Sequence, residues 1–120
     1  MADLRAEMTR FAEANGHPLS EAHQIVCAVC GSSLFKLETD AAGNGVAARC
    51  LSCPKYIYIQ GSQSRLVGDL EECLCDCGNN ELQVMMGTSC QPDSSRAEWV
   101  YVGGYCPSCG MVATYVDWGL

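Results

Sequence analysis

Ten cysteines in 120 residues set the chemistry open to this chain. Six of them fall in pairs with a two-residue gap: Cys27/Cys30, Cys50/Cys53 and Cys106/Cys109. A C-x-x-C turn brings two sulfurs to one side of the backbone, at the ~2.3 Å bond length of zinc–thiolate coordination. Two of the pairs end in glycine, as "CAVCG" and "CPSCG", and glycine admits the positive φ that lets nearby N–H groups face sulfur. The first two pairs read C-x2-C-x19-C-x2-C, a structural zinc spacing.

The stretch "EECLCDCGNN" poses a harder problem, because Cys73, Cys75 and Cys77 alternate. An extended strand rises ~3.3 Å per residue, which puts Cys73 and Cys77 ~13 Å apart. Two sulfurs on one tetrahedral zinc lie only ~3.8 Å apart. The outer pair is therefore excluded unless a tight loop closes it. Of the two neighbouring pairs, only Cys75/Cys77 precedes a glycine, Gly78. The second set is then Cys75, Cys77, Cys106 and Cys109, with substitution of Cys73 for Cys75 or Cys77 left open.

Other chemistry can use the same sulfurs. Disulfides need an oxidising compartment, and "MADLRAEMTRFAEANG" has neither the apolar run of a secretory signal nor that of a membrane span. That reading places the chain in the reducing cytoplasm, where cysteine pairs serve as metal ligands. A thioredoxin-like C-x-x-C needs a βαβ context that the pattern lacks. Iron–sulfur ligation stays compatible with the spacing. Cys73 and Cys90 read as small apolar residues, or as spare redox thiols, with Cys73 placed to act as a resolving thiol beside the second set. His17 and His23 read as surface or capping residues, since each set already has four sulfurs.

The elements around these residues are short. Leu4, Met8 and Phe11 lie at i, i+4 and i+7, and Asn15-Gly16 is a stop signal, so residues 3–15 are expected to form an amphipathic helix ahead of the break at His17-Pro18. β-like runs sit at 34–38, 46–50 and 56–60, the first two joined by a hairpin signal at Asn44-Gly45. "GSQSRLVG" (61–68) is a polar connector. Residues 73–118 repeat the plan: "ELQVMMG", a loop "TSCQPDSSRA", then "EWVYVGGYCPSCGMVATYVDW". There Trp99, Tyr101 and Gly103 alternate with Val100, Val102 and Gly104, as a half-buried strand requires. Trp99, Tyr101, Tyr105, Tyr115 and Trp118 read as core more than as a base-stacking set.

The chain resembles the zinc-ribbon family on "CAVCG" and "CPSCG". In ribbons two cysteine knuckles clamp one zinc beside a small antiparallel sheet. The resemblance implies a first site of Cys27, Cys30, Cys50 and Cys53, and departs from the family at Pro54, where many ribbons have glycine. "CDCGNNELQV", "EWVYVGGYCPSCG" and "YVDW" are similar to small bacterial proteins with two ribbons in tandem. The implied organisation is a mainly β, metal-stapled chain. It has a helix and linker at 1–24, a first ribbon at 25–60, a connector at 61–72, a second ribbon at 73–120, and two Zn2+. The second set also resembles in spacing the zinc centre of redox-regulated holdase chaperones, which gives a redox-switch alternative.

Charge narrows the partner. The net charge is −7. Residues 27–68 carry Lys36, Arg49, Lys55 and Arg65 against two acids, whereas residues 69–120 carry Arg96 against eight. Each tetrathiolate zinc adds about −2. So anionic a second half repels a phosphate backbone, and a protein with a basic surface is the expected partner, as for an adaptor, inhibitor or immunity protein. Nucleic acid is the alternative that the ribbon resemblance suggests. An enzyme is not expected: a four-sulfur zinc is closed, and the sequence has no nucleophile elbow, phosphate loop or histidine–carboxylate cluster. No membrane and no small-molecule substrate are implied.

Overall fold

The structure, a computed structural model, describes residues 2–40, 45–53, 55–60, 66, 68–90 and 96–120. Asn44 of the expected hairpin turn, Pro54, most of the 61–68 connector and residues 91–95 of the expected loop lie outside them.

Helix α1 spans Ala2–Ala14. It stops where Asn15-Gly16 indicates: Gly16 takes φ +82°, and the N–H groups of Asn15 and His17 close back on Phe11 and Ala12. Eight strands follow among the described residues: β1 Glu21–Gln24, β2 Leu34–Thr39, β3 Ala47–Cys50, β4 Tyr56–Tyr58, β5 Glu71–Glu72, β6 Leu82–Cys90, β7 Ala97–Tyr105 and β8 Val112–Gly119. All pairings are antiparallel, in one sheet ordered β4-β3-β2-β6-β7-β8, with β1 added on β6 and β5 on β2.

The join between the halves is short. Leu34 faces Gln83 and Phe35 faces Leu82, so β2 and β6 overlap only at their first residues. Beyond that overlap each strand is extended by the other half's lead-in: β1 runs beside β6, and β5 beside β2. The two cysteine-bearing halves thus share one sheet and one core. Phe35, Leu37 and Ala48 of the first half pack with Leu82, Val84, Val102 and Trp118 of the second.

Four local readings are corrected. Residues 21–24, read as linker, form β1, because the chain there lies along β6 with Glu21 opposite Thr88. Ile59 and Gln60 form a helical turn after β4 instead of extending it. Thr88, Ser89 and Cys90, read as loop, continue β6 opposite Val100, Trp99 and Ala97. And β7 is buried on both faces, not one. Val100 and Val102 enter the shared core, whereas Tyr101 lies under α1 with Leu4, Met8, Ala12 and Met85. The helix is what covers the second face. Burying Leu4 and Met8 there contributes about 1.5–3 kcal/mol each. The close approach needs small residues beneath: a Cβ on Gly103 would sit 2.7 Å from Met8 Sδ and 3.0 Å from Leu4 Cδ1. Trp118 and Tyr101 are core, as read, and Tyr115 packs against it.

Candidate metal centres

Each cysteine pair sits on a tight turn at a strand end. In the first, Cys27 N–H donates to Ser32 C=O and Gly31 N–H donates to Cys27 C=O. Cys106 repeats this with Met111 and Gly110, and Cys75 with Asn79 and Gly78. The C-x-C turn is therefore the same knuckle made one residue shorter. Gly31, Gly78 and Gly110 adopt φ of +74°, +89° and +79°, a left-handed conformation that costs an L side chain energy. The Cys50/Cys53 turn closes through Cys50 N–H to Lys55 C=O and Lys55 N–H to Cys53 C=O.

These turns bring eight sulfurs into two groups, Cys27/Cys30/Cys50/Cys53 and Cys75/Cys77/Cys106/Cys109, in each of which all sulfurs lie within 4.8 Å of one another. Cys27–Cys53 and Cys30–Cys50 are 3.5 Å apart, and Cys53–Cys30 3.7 Å. In the second group Cys75–Cys109 is 3.3 Å and Cys77–Cys106 3.7 Å. A tetrahedron with ~2.3 Å metal–sulfur bonds has edges of ~3.8 Å, so both groups match four-sulfur coordination of an ion such as zinc. The leading cysteine of every pair (Cys27, Cys50, Cys75, Cys106) is buried in the shared core, and the trailing one is more exposed. The centres are part of that core.

Electrostatics show why sulfur alone does not suffice. Backbone N–H groups of Cys30 and Val29 bring the Cys27 thiol down to about 6. The Asn79 side-chain amide, 3.3 Å from Cys106 Sγ, together with the N–H groups of Cys109 and Ser108, lowers Cys106 to about 6. The neighbouring Cys27 sulfur and burial push Cys53 up to about 12. At Cys75 the Cys77 N–H pulls down, but burial and the sulfurs of Cys109, Cys77 and Cys106 outweigh it and raise the thiol to about 12. Each group thus mixes thiols that give up their protons readily with thiols that hold them. Four negative charges gather only around a cation, and binding it releases protons.

Asn79 is the site residue that sequence reasoning missed. Its amide bridges Glu81 C=O and Cys106 Sγ, and cysteine spacing carries no signal for it. Met111 Sδ also lies 3.8 Å from Cys75 Sγ. Cys73 and Cys90 fall in neither group. Cys73 packs partly buried against the shared core, and burial raises its thiol to about 11, away from the reactive thiolate. Cys90 ends β6, its N–H held by Ser20 Oγ at 2.9 Å. His17 stacks on Trp99 with ring centroids 4.5 Å apart, and His23 is exposed on β1; neither belongs to a sulfur group.

Single substitutions distinguish ligand from bystander. By native mass spectrometry Cys73→Ser will keep two metal ions per chain, whereas Cys77→Ser will fail to hold both and will unfold. The reverse result would mean that Cys73 is the ligand.

No family model, curated protein or solved structure matches this chain. The likeness to zinc-binding modules therefore rests on the two four-cysteine groups and the mainly antiparallel sheet around them. Among the described residues no helix is long and apolar enough to cross a membrane.

Proposed function

We infer that this is a non-enzymatic protein whose two four-cysteine centres hold structural Zn2+ and whose acidic second half docks on a protein with a basic surface. The observation that carries the metal reading is the pair of closed sulfur tetrahedra whose buried corners lie in the core. Four sulfurs leave no coordination position for water or substrate, so the ions contribute order and not catalysis.

The docking reading rests on where the acids lie. Asp69, Glu71, Glu72, Asp76 and Glu81 are all exposed and flank the Cys75/Cys77 knuckle along the chain, beside Leu74 at 53 % exposure. An apolar tip flanked by acids suits a partner with a basic rim and an apolar centre, since complementary charge speeds and orients association. Elemental analysis will give two zinc ions per chain in a colourless protein; visible absorption from iron and sulfide would defeat the metal reading. Immobilised zinc-loaded chain will retain a basic protein at physiological salt, and the Glu71→Lys/Glu72→Lys/Asp76→Lys variant, with both ions still bound, will release it. If wild type and variant retain the same proteins, the docking reading fails.

A further inference from the structure

The edge of the sheet at β4 carries a different surface. On the edge strand β4, Tyr56 and Tyr58 point to the same side and are 43 % and 36 % exposed, large for rings that could pack inward. Their rings lie nearly parallel, 19° apart with centroids 6.0 Å from one another. The Tyr56 hydroxyl donates to Glu38 Oε2 at 3.2 Å, which holds its ring in place. Pairing continues this face inward: Tyr56 lies opposite Arg49 on β3, and Arg49 opposite Lys36 on β2. Directly opposed residues stand ~5 Å apart at Cβ, so two cations and an aromatic ring form one row across three strands. Beside that row, Lys36, Arg49, Cys50 and Leu51 line a cleft of about 140 Å³.

We propose that this face binds a nucleotide unit, the base against Tyr56 and Tyr58 and the phosphate in the cleft between Lys36 and Arg49. Flat rings offered to solvent take another flat ring, and every nucleobase has a π-face to stack. A guanidinium beside an ammonium suits phosphate oxygens, through charge-assisted hydrogen bonds. The pairing of ring and anion is what separates a nucleotide from a simple acidic peptide, which would use the cations and leave the rings idle. Duplex hides its base faces in the stack, so the unit must come from a free nucleotide or an unpaired strand. The acidic remainder of the chain repels a long phosphate track, so contact stays confined to one or two units. This surface borders the acidic residues, since Glu38 accepts from Tyr56 and lies opposite Glu72, but it does not depend on the docking reading.

The test uses the zinc-loaded full chain, titrated with adenosine monophosphate, an eight-residue oligoadenylate, the matching duplex and a glutamate hexapeptide, read by amide NMR shifts. The expected result is saturable shifts at Lys36, Arg49 and 56–58 with the monophosphate, the oligonucleotide or both. Equal binding of the two assigns the free nucleotide; binding by the oligonucleotide alone assigns an unpaired strand. With two phosphate-facing cations, oligonucleotide affinity will fall with a log–log salt slope of about −1.4. Arg49→Gln and Tyr58→Leu will each weaken binding about tenfold while two zinc ions stay bound; leucine keeps the buried Ala47, opposite Tyr58, covered. The proposal is overturned if neither nucleotide probe moves those amides at millimolar concentration. It is equally overturned if Tyr58→Leu binds like wild type, or if duplex or the glutamate peptide binds as well as the oligonucleotide.

Discussion

Stripping the metal from the folded chain with a strong chelator will unfold both halves together. Structural zinc supplies apparent folding free energies of about 10–16 kcal/mol in small zinc modules, against a total stability of about 5–15 kcal/mol for a whole domain. Losing either ion therefore removes an amount comparable to everything that holds the protein folded. The collapse spreads because the metal centres are not walled off from each other. Cys27 and Cys50 of one group and Cys75 and Cys106 of the other line the same core, beside Phe35, Leu82 and Trp118. Once the cation is gone, sulfurs such as Cys53 and Cys75 take protons back, and the polar thiols stay crowded in an apolar interior. Near-UV circular dichroism should vanish in a single step. Amide spectra should lose dispersion over 34–58 and 82–118 at the same chelator concentration. The variant Cys106→Ser, which removes one buried corner, should produce the same loss without chelator. An apo chain that keeps its near-UV signal, or one in which only 34–58 melts, would show that sulfur ligation does not hold this sheet together.

Much of this organisation is legible in the cysteines and little of it in the residues between. Spacing, with a following glycine at three of the four pairs, points to two groups of four sulfurs, because a knuckle is a local turn whose geometry depends on adjacent residues. The choice of Cys75/Cys77 over Cys73 came from the same local rule, and Gly78 with φ +89° is its physical content. Asn79 escaped because its amide reaches a sulfur 27 residues away, a contact made only by the fold. Strand β1 escaped for a related reason. "EAHQ" has no strong alternation of apolar and polar residues, and it becomes a strand because β6 offers it an edge. The alternation at 99–104 reads as a half-buried strand, and it becomes a doubly buried one only when α1 closes over Tyr101 and Gly103. An amphipathic helix of 13 residues is visible in sequence; the face that receives it is not.

That receiving face gives the second large effect. Tyr101→Ala in the zinc-loaded protein should cost about 3–5 kcal/mol, the range for deleting a large buried aromatic. The ring is completely buried, with Leu4, Met8 and Ala12 in the same cluster and Phe11 against it edge-on at 6.0 Å. Its hydroxyl also pins the end of the helix. It donates to His17 C=O at 2.7 Å and accepts from Asn15 Nδ2 at 3.1 Å, tying two of the three residues that follow α1 to the middle of the sheet. The two contributions separate by substitution. Tyr101→Phe keeps the ring and removes only the hydroxyl, and should cost about 1 kcal/mol, the net value of a hydrogen bond. Neither change touches a thiol, since the helix-covered cluster contains no cysteine. Both variants should therefore still bind two metal ions under native conditions while their urea midpoints fall, Ala far more than Phe. A midpoint for Tyr101→Ala within error of wild type would mean that the helix adds nothing to the stability of the metal-stapled sheet. Loss of a metal ion from either variant would mean instead that the two faces of β7 are coupled through the strand itself.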